Sequence, residues 1–213
     1  MRYEVPLCRI EDVADVSAEA FIGSNDPIGN YMFQNEPQHL LLKRIFFRLL
    51  VTTCPPESVV HAVSPALEAV SIWYPPGIGY PDDGGADPFG GQAFADAGTK
   101  TRIAAVNEVI AALITHLGRE PQWYLHLVAV RSAFLGQKYA SLLVRPMLAK
   151  ADTENIPCTL ITQCQTNVQK YEHWGFRVTK AISVPCSQET FYAMRRPCQV
   201  GRGVLTEPPQ QGF

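Results

Sequence analysis

Between residues 122 and 184 the chain alternates strand-like and helix-like segments, and this order restricts the fold more than any other feature. The runs "QWYLHLVAV" (122–130) and "PCTLITQ" (157–163) are short and apolar, and the first is rich in the aromatic and β-branched residues typical of strands. Between them, "GQKYASLLVRPMLAKAD" (136–152) has helical spacing, with Tyr139, Leu142, Leu143 and Met147 expected to face inward. The pattern predicts an α/β fold: a mixed, twisted central sheet flanked by helices.

Further strands and helices are predicted on both sides of this region. Two runs after it, "FRVTKAISV" (176–184) and "ETFYAMRRP" (189–197), could pair as antiparallel strands. "TRIAAVNEVIAALITHLG" (101–118) is an amphipathic helix that ends on Gly118. Towards the N-terminus we expect a strand at 3–10, helices at 11–21 and 38–50, and neighbouring strands at 58–64 and 67–77.

Residues 77–98 are dense in Gly, Pro and Asp, which predicts a long loop. Loops of this length in compact domains are usually functional or mobile. Neither flank of the loop offers enough strands for a sheet with a buried face. We therefore predict one domain over residues 1–213, with a loose tail from about residue 198.

Composition and charge argue against several classes of protein. The net charge of -2 gives no basic field that would attract nucleic acid or an anionic membrane. No apolar run is long enough to span a bilayer, and the acids near the N-terminus do not suit a signal peptide, so we expect a cytoplasmic protein. The six cysteines form no C-x-x-C pair and have no histidine at metal spacing, so neither a metal site nor a disulfide framework is predicted.

The segment "NVQKYEHWGF" (167–176) is a short helix that stops on Gly175 and runs straight into the next strand. By itself it can be a helix capped by Thr166 or Asn167, with a packed Tyr171 and Gly175 as its C-cap. In the alternative interpretation, Tyr171 faces a reacting group. The segment is compatible with both.

Three segments resemble the core of the GNAT superfamily of N-acetyltransferases. "YLHLVAV" is similar to the family's fourth strand and is followed by a turn and helix at "FLGQKYASLLV"; "PCTLITQ" is similar to the fifth strand; "TNVQKYEHWGF" is similar to the signature of Asn, then Tyr, then Gly-Phe. With "SIWYPPG", the resemblance is nearest to the puromycin N-acetyltransferase-like branch, whose members acetylate small molecules. It implies a sheet that splays apart between the fourth and fifth strands, with acetyl-CoA as co-substrate.

The resemblance also implies a pyrophosphate site where the fourth strand leads into its helix, because backbone N–H groups and the positive helix end suit that anion. The family's usual motif is Gln or Arg, two residues, Gly, one residue, then Gly or Ala. Leu135, Lys138 and Ala140 hold those positions here, so only the last matches. Lys138 could place a cation near phosphate or obstruct the backbone, and an ordinary helix start is the alternative. The implied cofactor-binding residues are Gly136, Gln137, Lys138, Tyr139, Ala140 and Ser141.

Other site residues follow from the same resemblance. In the family, the tyrosine that matches Tyr171 donates a proton to the departing CoA thiolate, and the asparagine that matches Asn167 contacts the pantetheine arm. The backbone that matches Val128, Ala129 and Val130 pairs with that arm and polarises the thioester carbonyl.

Two pairs of residues are candidates for the acceptor side of the site. Tyr124 and His126 lie two apart on a strand, so both should point to one face. His126 titrates near neutrality and is either a base, directly or through water, or a hydrogen-bonded core histidine. Trp73 and Tyr74 either line the acceptor site or simply end a strand.

Together these observations predict an acyl-CoA-dependent N-acetyltransferase, or an O-acetyltransferase, that acts on a small-molecule amine or alcohol. The rival hypothesis is a GNAT-fold protein that has lost CoA binding and serves as a binding module or catalyses a non-acyl reaction. The altered phosphate motif at Leu135 and Lys138 is the feature that separates the two.

Overall fold

The computed structural model describes residues 2–22, 26–78, 89 and 94–199. Its strands are β1 (Tyr3–Glu4), β2 (Val59–Ala62), β3 (Ala69–Tyr74), β4 (Trp123–Val130), β5 (Cys158–Gln163), β6 (Arg177–Ser183) and β7 (Thr190–Arg196). They form one sheet in the order β1-β2-β3-β4-β5-β7-β6. Every neighbouring pair is antiparallel except β4 and β5, which are parallel. The predicted mixed α/β architecture is confirmed.

Helices cover both faces of the sheet. They are α1 (Ile10–Ile22), α2 (Pro27–Met32), α3 (His39–Thr52), α4 (Thr99–Leu117), α5 (Tyr139–Glu154) and α6 (Gln165–Glu172). The first four helices and one face of the sheet enclose a first hydrophobic core. The last two helices and the opposite face enclose a second core, built around Trp73, Trp123 and Leu125.

Three local predictions were wrong, each for an identifiable reason. The first strand covers only Tyr3–Glu4 because Pro6 has no N–H for a ladder, and a 3₁₀ turn follows at Leu7–Arg9. The helix at Pro27–Met32 was missed, although Asp26 followed by Pro is a common helix start. Leu142, expected to face inward on α5, is 56% exposed.

Two further predictions concern segments that the structure describes only in part. Residues 79–88 and 90–93 of the loop predicted at 77–98 lie outside the described residues, as do residues 200–213 of the predicted tail. All six cysteines are free thiols. Within the described ranges, no helix is both long enough and apolar enough to cross a membrane.

The sheet opens between its two parallel strands, as the resemblance implied. β4 and β5 pair only at Trp123 with Cys158 and at Tyr124 with Thr159. Beyond Tyr124, β4 continues to Val130 with no ladder partner on the β5 side among the described residues. This gap in the sheet exposes a strand edge with free backbone donors and acceptors.

Candidate active site

A cleft with a volume of about 760 Å³ extends from the gap between β4 and β5. It brings together most of the side chains and backbone segments that the sequence singled out, from β4, the start of α5 and α6. The predicted residues that line it are His126, Val128, Ala129, Val130, Gly136, Lys138, Tyr139, Ala140, Ser141, Asn167 and Tyr171.

A β-bulge sets the geometry of β4 within the cleft. Ile72 pairs with Leu127 and Trp73 pairs with Leu125, so His126 is the extra residue on β4. The bulge switches the alternation of the strand, because Leu127 now lies in the first core on the same face as Tyr124. Bulges often re-aim a side chain at a functional site, and this one places His126 on the wall of the cleft.

His126 is held in one protonation state by its surroundings. Its Nε2 lies 2.8 Å from the carbonyl oxygen of Leu50, so Nε2 carries the proton and donates it to that oxygen. Burial lowers the pKa of the imidazole to about 4, although the Leu50 contact acts in the opposite direction. The ring is therefore neutral at physiological pH, and Nδ1 is its available hydrogen-bond acceptor.

Four of the predicted site residues do not line the cleft. Tyr74 stacks on His126 at a centroid distance of 4.7 Å, and Tyr124 lies 6.1 Å from the same imidazole, so both form a layer behind it. Trp73 is fully buried in the second core because adjacent residues on a strand point to opposite faces. Gln137 is exposed and lies outside the cleft lining.

The start of α5 lines the cleft and has backbone amides without a partner among the described residues. Lys138 occupies the N-cap in the left-handed conformation (φ 61°), and no side chain caps the helix. The N–H groups of Tyr139, Ala140 and Ser141 belong to the first turn, where α-helical partners do not exist. Gly136 precedes them with φ 78°, a conformation that glycine adopts without strain. These amides and the positive helix end suit an anion.

The short helix α6 places Tyr171 at the opposite side of the gap. Its ring packs edge-to-face on Trp174 and Phe176, at 5.7 and 6.0 Å between centroids. Burial raises the pKa of its phenol to about 12, with a further contribution from the Cys164 thiol. Tyr171 therefore packs against aromatic neighbours and also lines the cleft. A packing role and a position that faces a reacting group are compatible for this residue.

The cap of α6 differs from both predicted candidates. The helix begins at Gln165, and its N-cap is Cys164, which has a positive φ of 66° with ψ 142°. Asn167 lies inside the first turn, and its side-chain amide donates to the carbonyl of Gln163 at 3.2 Å. Gly175, with φ 91°, reverses the chain after the helix.

The lining residues from the first half of the chain were missed. They are Ala20, Phe21, Asp26, Pro27, Phe47 and Leu50, on or next to α1, α2 and α3. Their spacing is that of ordinary amphipathic helices, which marks a buried face but not a cleft. Only the Asp26-Pro27 pair carried a local signal, and that signal was for a helix start.

The fold compares well with solved acetyltransferase structures. An acetyltransferase from Corynebacterium glutamicum, described as histone acetyltransferase HPA2 and related acetyltransferase, has 20% identity over 95% of this chain and 98% of its own, with a TM-score of 0.59. Arylalkylamine N-acetyltransferase 2 of Aedes aegypti has 14% identity over 93% of this chain and 99% of its own, with a TM-score of 0.61. A mosquito arylalkylamine N-acetyltransferase like 5b has 15% identity, covers 92% and 99% of the two chains, and has a TM-score of 0.59.

These similarities establish the GNAT fold for this chain. The structural neighbours are GNAT-superfamily acetyltransferases. No family model matches the sequence. The narrower resemblance to the puromycin N-acetyltransferase-like branch stays a prediction.

Proposed function

We propose that this chain is an acetyl-CoA-dependent N-acetyltransferase that acts on a small-molecule amine. The observation that carries the proposal is the gap between β4 and β5, where a free strand edge, an uncapped helix start and Tyr171 line one cleft. The GNAT fold and its acetyltransferase neighbours support it. When bound, acetyl-CoA would supply the acetyl group as a thioester.

The chain's own backbone would hold the cofactor. The free edge of β4 at Val128, Ala129 and Val130 offers hydrogen-bond partners for the amide groups of the pantetheine arm. The amides of the first turn of α5 suit the pyrophosphate, with the Lys138 ammonium as an additional charge nearby. These contacts use main-chain atoms, so the loss of the family's side-chain pattern at Leu135 and Lys138 need not remove them.

Tyr171 would stabilise the leaving thiolate. Its pKa of about 12 keeps the phenol protonated at neutral pH, so the hydroxyl is available as a donor. A thiol has an ordinary pKa of roughly 8.5, so the buried phenol favours a strong hydrogen bond to the thiolate over complete proton transfer. His126, neutral and bonded to Leu50 through Nε2, would accept a hydrogen bond from the attacking neutral amine through Nδ1. The nitrogen forms the amide bond, the thioester C–S bond breaks, CoA leaves as the thiolate, and the nitrogen releases one proton to water.

Calorimetric titration with acetyl-CoA is the first test, and saturable binding is the expected result. Turnover is then measured with a panel of primary amines, with CoA release followed by chromatography because the six free cysteines would react with thiol reagents. In Tyr171→Phe, kcat should fall roughly 100-fold or more, with the Kd for acetyl-CoA within about twofold of wild type.

Tyr31→Phe is the matched control. Tyr31 donates its hydroxyl to the carbonyl of Pro185, and it lies outside the cleft lining, so this variant loses a phenol hydroxyl without touching the site. Equal kcat in wild type and Tyr171→Phe would refute the role of Tyr171. An absence of acetyl-CoA binding at millimolar concentration would refute the proposed function and favour a retained fold used for binding.

A further inference from the structure

His126 is the extra residue of the bulge in β4, so the ladder with β3 does not set the direction of its side chain. Contacts of the imidazole itself must set that direction. His126 lines the cleft, and a change in the orientation or tautomer of its ring would move the Nδ1 acceptor away from the attacking amine. The groups that hold the ring from behind therefore bear on the chemistry of the cleft.

The carbonyl of Leu50 is available to side chains because α3 ends close to it. In a longer helix this carbonyl would accept from the N–H of Cys54, but that N–H donates to Val51 at 3.2 Å. The Leu50 oxygen accepts instead from Nε2 of His126 at 2.8 Å and from the Cys54 thiol at 3.1 Å. Carbonyls in the last turn of a helix carry partial negative charge, which favours donors there. The end of α3 thus selects the tautomer of His126 that has its proton on Nε2.

Tyr74 restricts the rotation of the imidazole about its hydrogen bond to Leu50. The two rings stack, with 4.7 Å between their centroids and 18° between their planes. Tyr74 is 1% exposed, and its hydroxyl donates to the sulfur of Cys54 at 3.4 Å. Tyr124 also approaches the imidazole, but at 6.1 Å and an angle of 47° it does not stack on it. The plane of the His126 ring is therefore set by Tyr74.

Cys54 connects the ring stack to the hydrogen bond. Its sulfur accepts from the Tyr74 hydroxyl and donates to the Leu50 carbonyl. With the stack and the bond from His126, these contacts form a closed circuit behind the cleft. Burial raises the pKa of the Cys54 thiol to about 11, although the Tyr74 hydrogen bond acts in the opposite direction. The thiol keeps its proton at neutral pH, so it can accept and donate at the same time.

We propose that Tyr74 and Cys54 are positioning residues, which hold the His126 imidazole in the orientation and tautomer in which Nδ1 accepts a hydrogen bond from the attacking amine. This inference rests on the proposed function, since it concerns the same cleft and the same reaction. Both residues lie outside the cleft lining, so they act through His126. Their substitution should therefore lower kcat and leave the affinity for acetyl-CoA unchanged.

Nitrogen NMR of the full chain labelled with ¹⁵N-histidine reads the tautomer without any ligand, because protonated and bare ring nitrogens resonate far apart. The signals of His126 are assigned by their loss in His126→Gln. Wild type should show one tautomer, with the proton on Nε2. In Tyr74→Leu, which removes the stacked ring, the signals should move towards the average of two tautomers. Cys54→Ala removes the bridge and should shift them in the same direction by a smaller amount.

Activity measurements follow the same variants. In Tyr74→Leu, kcat should fall roughly 10-fold or more, and in Cys54→Ala roughly threefold, with the Kd for acetyl-CoA within about twofold of wild type. Tyr74→Phe keeps the stack and loses only the hydroxyl, so its kcat should fall no more than that of Cys54→Ala. If Tyr74→Leu does not fold, Cys54→Ala and Tyr74→Phe are smaller changes that decide with the same measurements.

Two further cysteine variants provide rescue and control. Cys54→Ser should keep the wild-type tautomer and kcat, because a hydroxyl at this point can donate to Leu50 just as Thr53 donates to Leu49 at 2.7 Å. Cys198→Ala removes a thiol that donates to Asn155 at 3.0 Å, outside the cleft lining, and should change neither quantity.

The inference is overturned if Tyr74→Leu and Cys54→Ala keep a single tautomer, whatever their rates. It is also overturned if kcat is unchanged, or if the affinity for acetyl-CoA falls as much as kcat does, since that would indicate a general distortion of the cleft. If wild type neither binds acetyl-CoA nor transfers its acetyl group, the proposed function fails. The spectra of the ligand-free chain then still decide whether Tyr74 and Cys54 hold the imidazole.

Discussion

Asp26 and Glu36 are both buried carboxylates that accept backbone hydrogen bonds in or just before the first turn of a helix, but they differ in how completely they are satisfied. Glu36 accepts from the N–H groups of Ala95 and Asp96, each at 3.1 Å, and from the Thr99 hydroxyl at 2.8 Å. Asp26 accepts from Gly29, and its second oxygen has no hydrogen-bond partner among the described residues.

The pKa shifts of the two carboxylates follow this difference. Burial acts to raise the pKa of Glu36, yet the hydrogen bonds from Thr99, Asp96 and Ala95 hold it below its ordinary value. In Asp26, burial prevails and the pKa is raised. Burial alone therefore does not mark a functional acid. The saturated carboxylate of Glu36 ties α4 to the loop after α2, whereas Asp26 caps α2 with one oxygen and leaves the other without a hydrogen-bond donor among the described residues.

The largest effect on stability is expected at Glu36. Glu36→Ala leaves two backbone amides and a buried hydroxyl without their acceptor, so the Tm should fall by about 5 °C or more. Glu36→Gln keeps one acceptor oxygen, so its Tm should fall less than that of Glu36→Ala. Asp26→Asn keeps its cap and should stay within about 3 °C of wild type. Thermal unfolding followed by circular dichroism measures the Tm of all three variants. A larger fall in Tm for Asp26→Asn than for Glu36→Ala would contradict the prediction.

The Glu36 effect should also depend on pH. Because its pKa is lower in the folded state, the ionised carboxylate contributes stability above the unfolded pKa of roughly 4.3, and this contribution is lost as the pH falls through the folded pKa. The Tm difference between wild type and Glu36→Gln should therefore be largest at pH 6–7 and shrink towards pH 3. A Tm difference that is constant with pH would show that the charge of Glu36 does not contribute to stability.

A smaller effect is expected from two glycines that lie beside these carboxylate regions. A Cβ on Gly29 would lie 2.1 Å from Oδ2 of Asp26 and 2.9 Å from Cε of Lys43, so Gly29→Ala must displace the carboxylate. A Cβ on Gly98 would lie 2.7 Å from the end of the Arg102 side chain, whose guanidinium is bonded to Met32, Asp96 and Thr99. Gly29→Ala should lower the Tm by a few degrees, although alanine is usually the better helix residue.

Gly98→Ala serves as the matched control for that prediction. It should lower the Tm less than Gly29→Ala does, because its shortest contact is 2.7 Å against 2.1 Å, although the partly buried ion pair between Arg102 and Asp96 has to adjust. Equal losses of Tm in the two variants would mean that displacement of the Asp26 carboxylate has no cost.

The smallest effect is expected at an exposed carboxylate. Asp15 pairs with Arg44 and Arg48 on the surface, with 49% of its side chain exposed. Asp15→Asn should change the free energy of unfolding by about 0.5 kcal/mol or less, because solvent and salt screen such pairs. Chemical denaturation at low and high salt checks this, and a salt-independent loss above about 1 kcal/mol would contradict it.

Much of the fold could be predicted because it depends on neighbours along the chain. The periodicity of residues 101–118 and 136–152 predicted α4 and α5, and the apolar runs predicted β4 and β5. The short helix with Tyr171 followed by Gly175 was visible for the same reason, since a positive φ after a helix is a local requirement. These patterns can be recognised without knowing which other elements pack on the segment.

Other parts of the site were decided only by tertiary structure. The alternation of β4 gives no sign of the bulge at His126, because a bulge is defined by the partner strand β3. The neighbours Trp73 and Tyr74 were paired as one surface, yet the sheet has a core on each face and divides them between the two.

Asp26 is the clearest case. Its sequence, an acid before proline, encodes a helix cap, and that cap is what the local chain forms. Whether its second oxygen meets a donor depends on Lys43, seventeen residues later, on a helix that packs beside it. The sequence by itself determined the helices, strands and caps through short-range sterics and hydrogen bonds. The tertiary structure determined which polar groups were left without partners, because satisfaction of a buried group depends on everything packed around it.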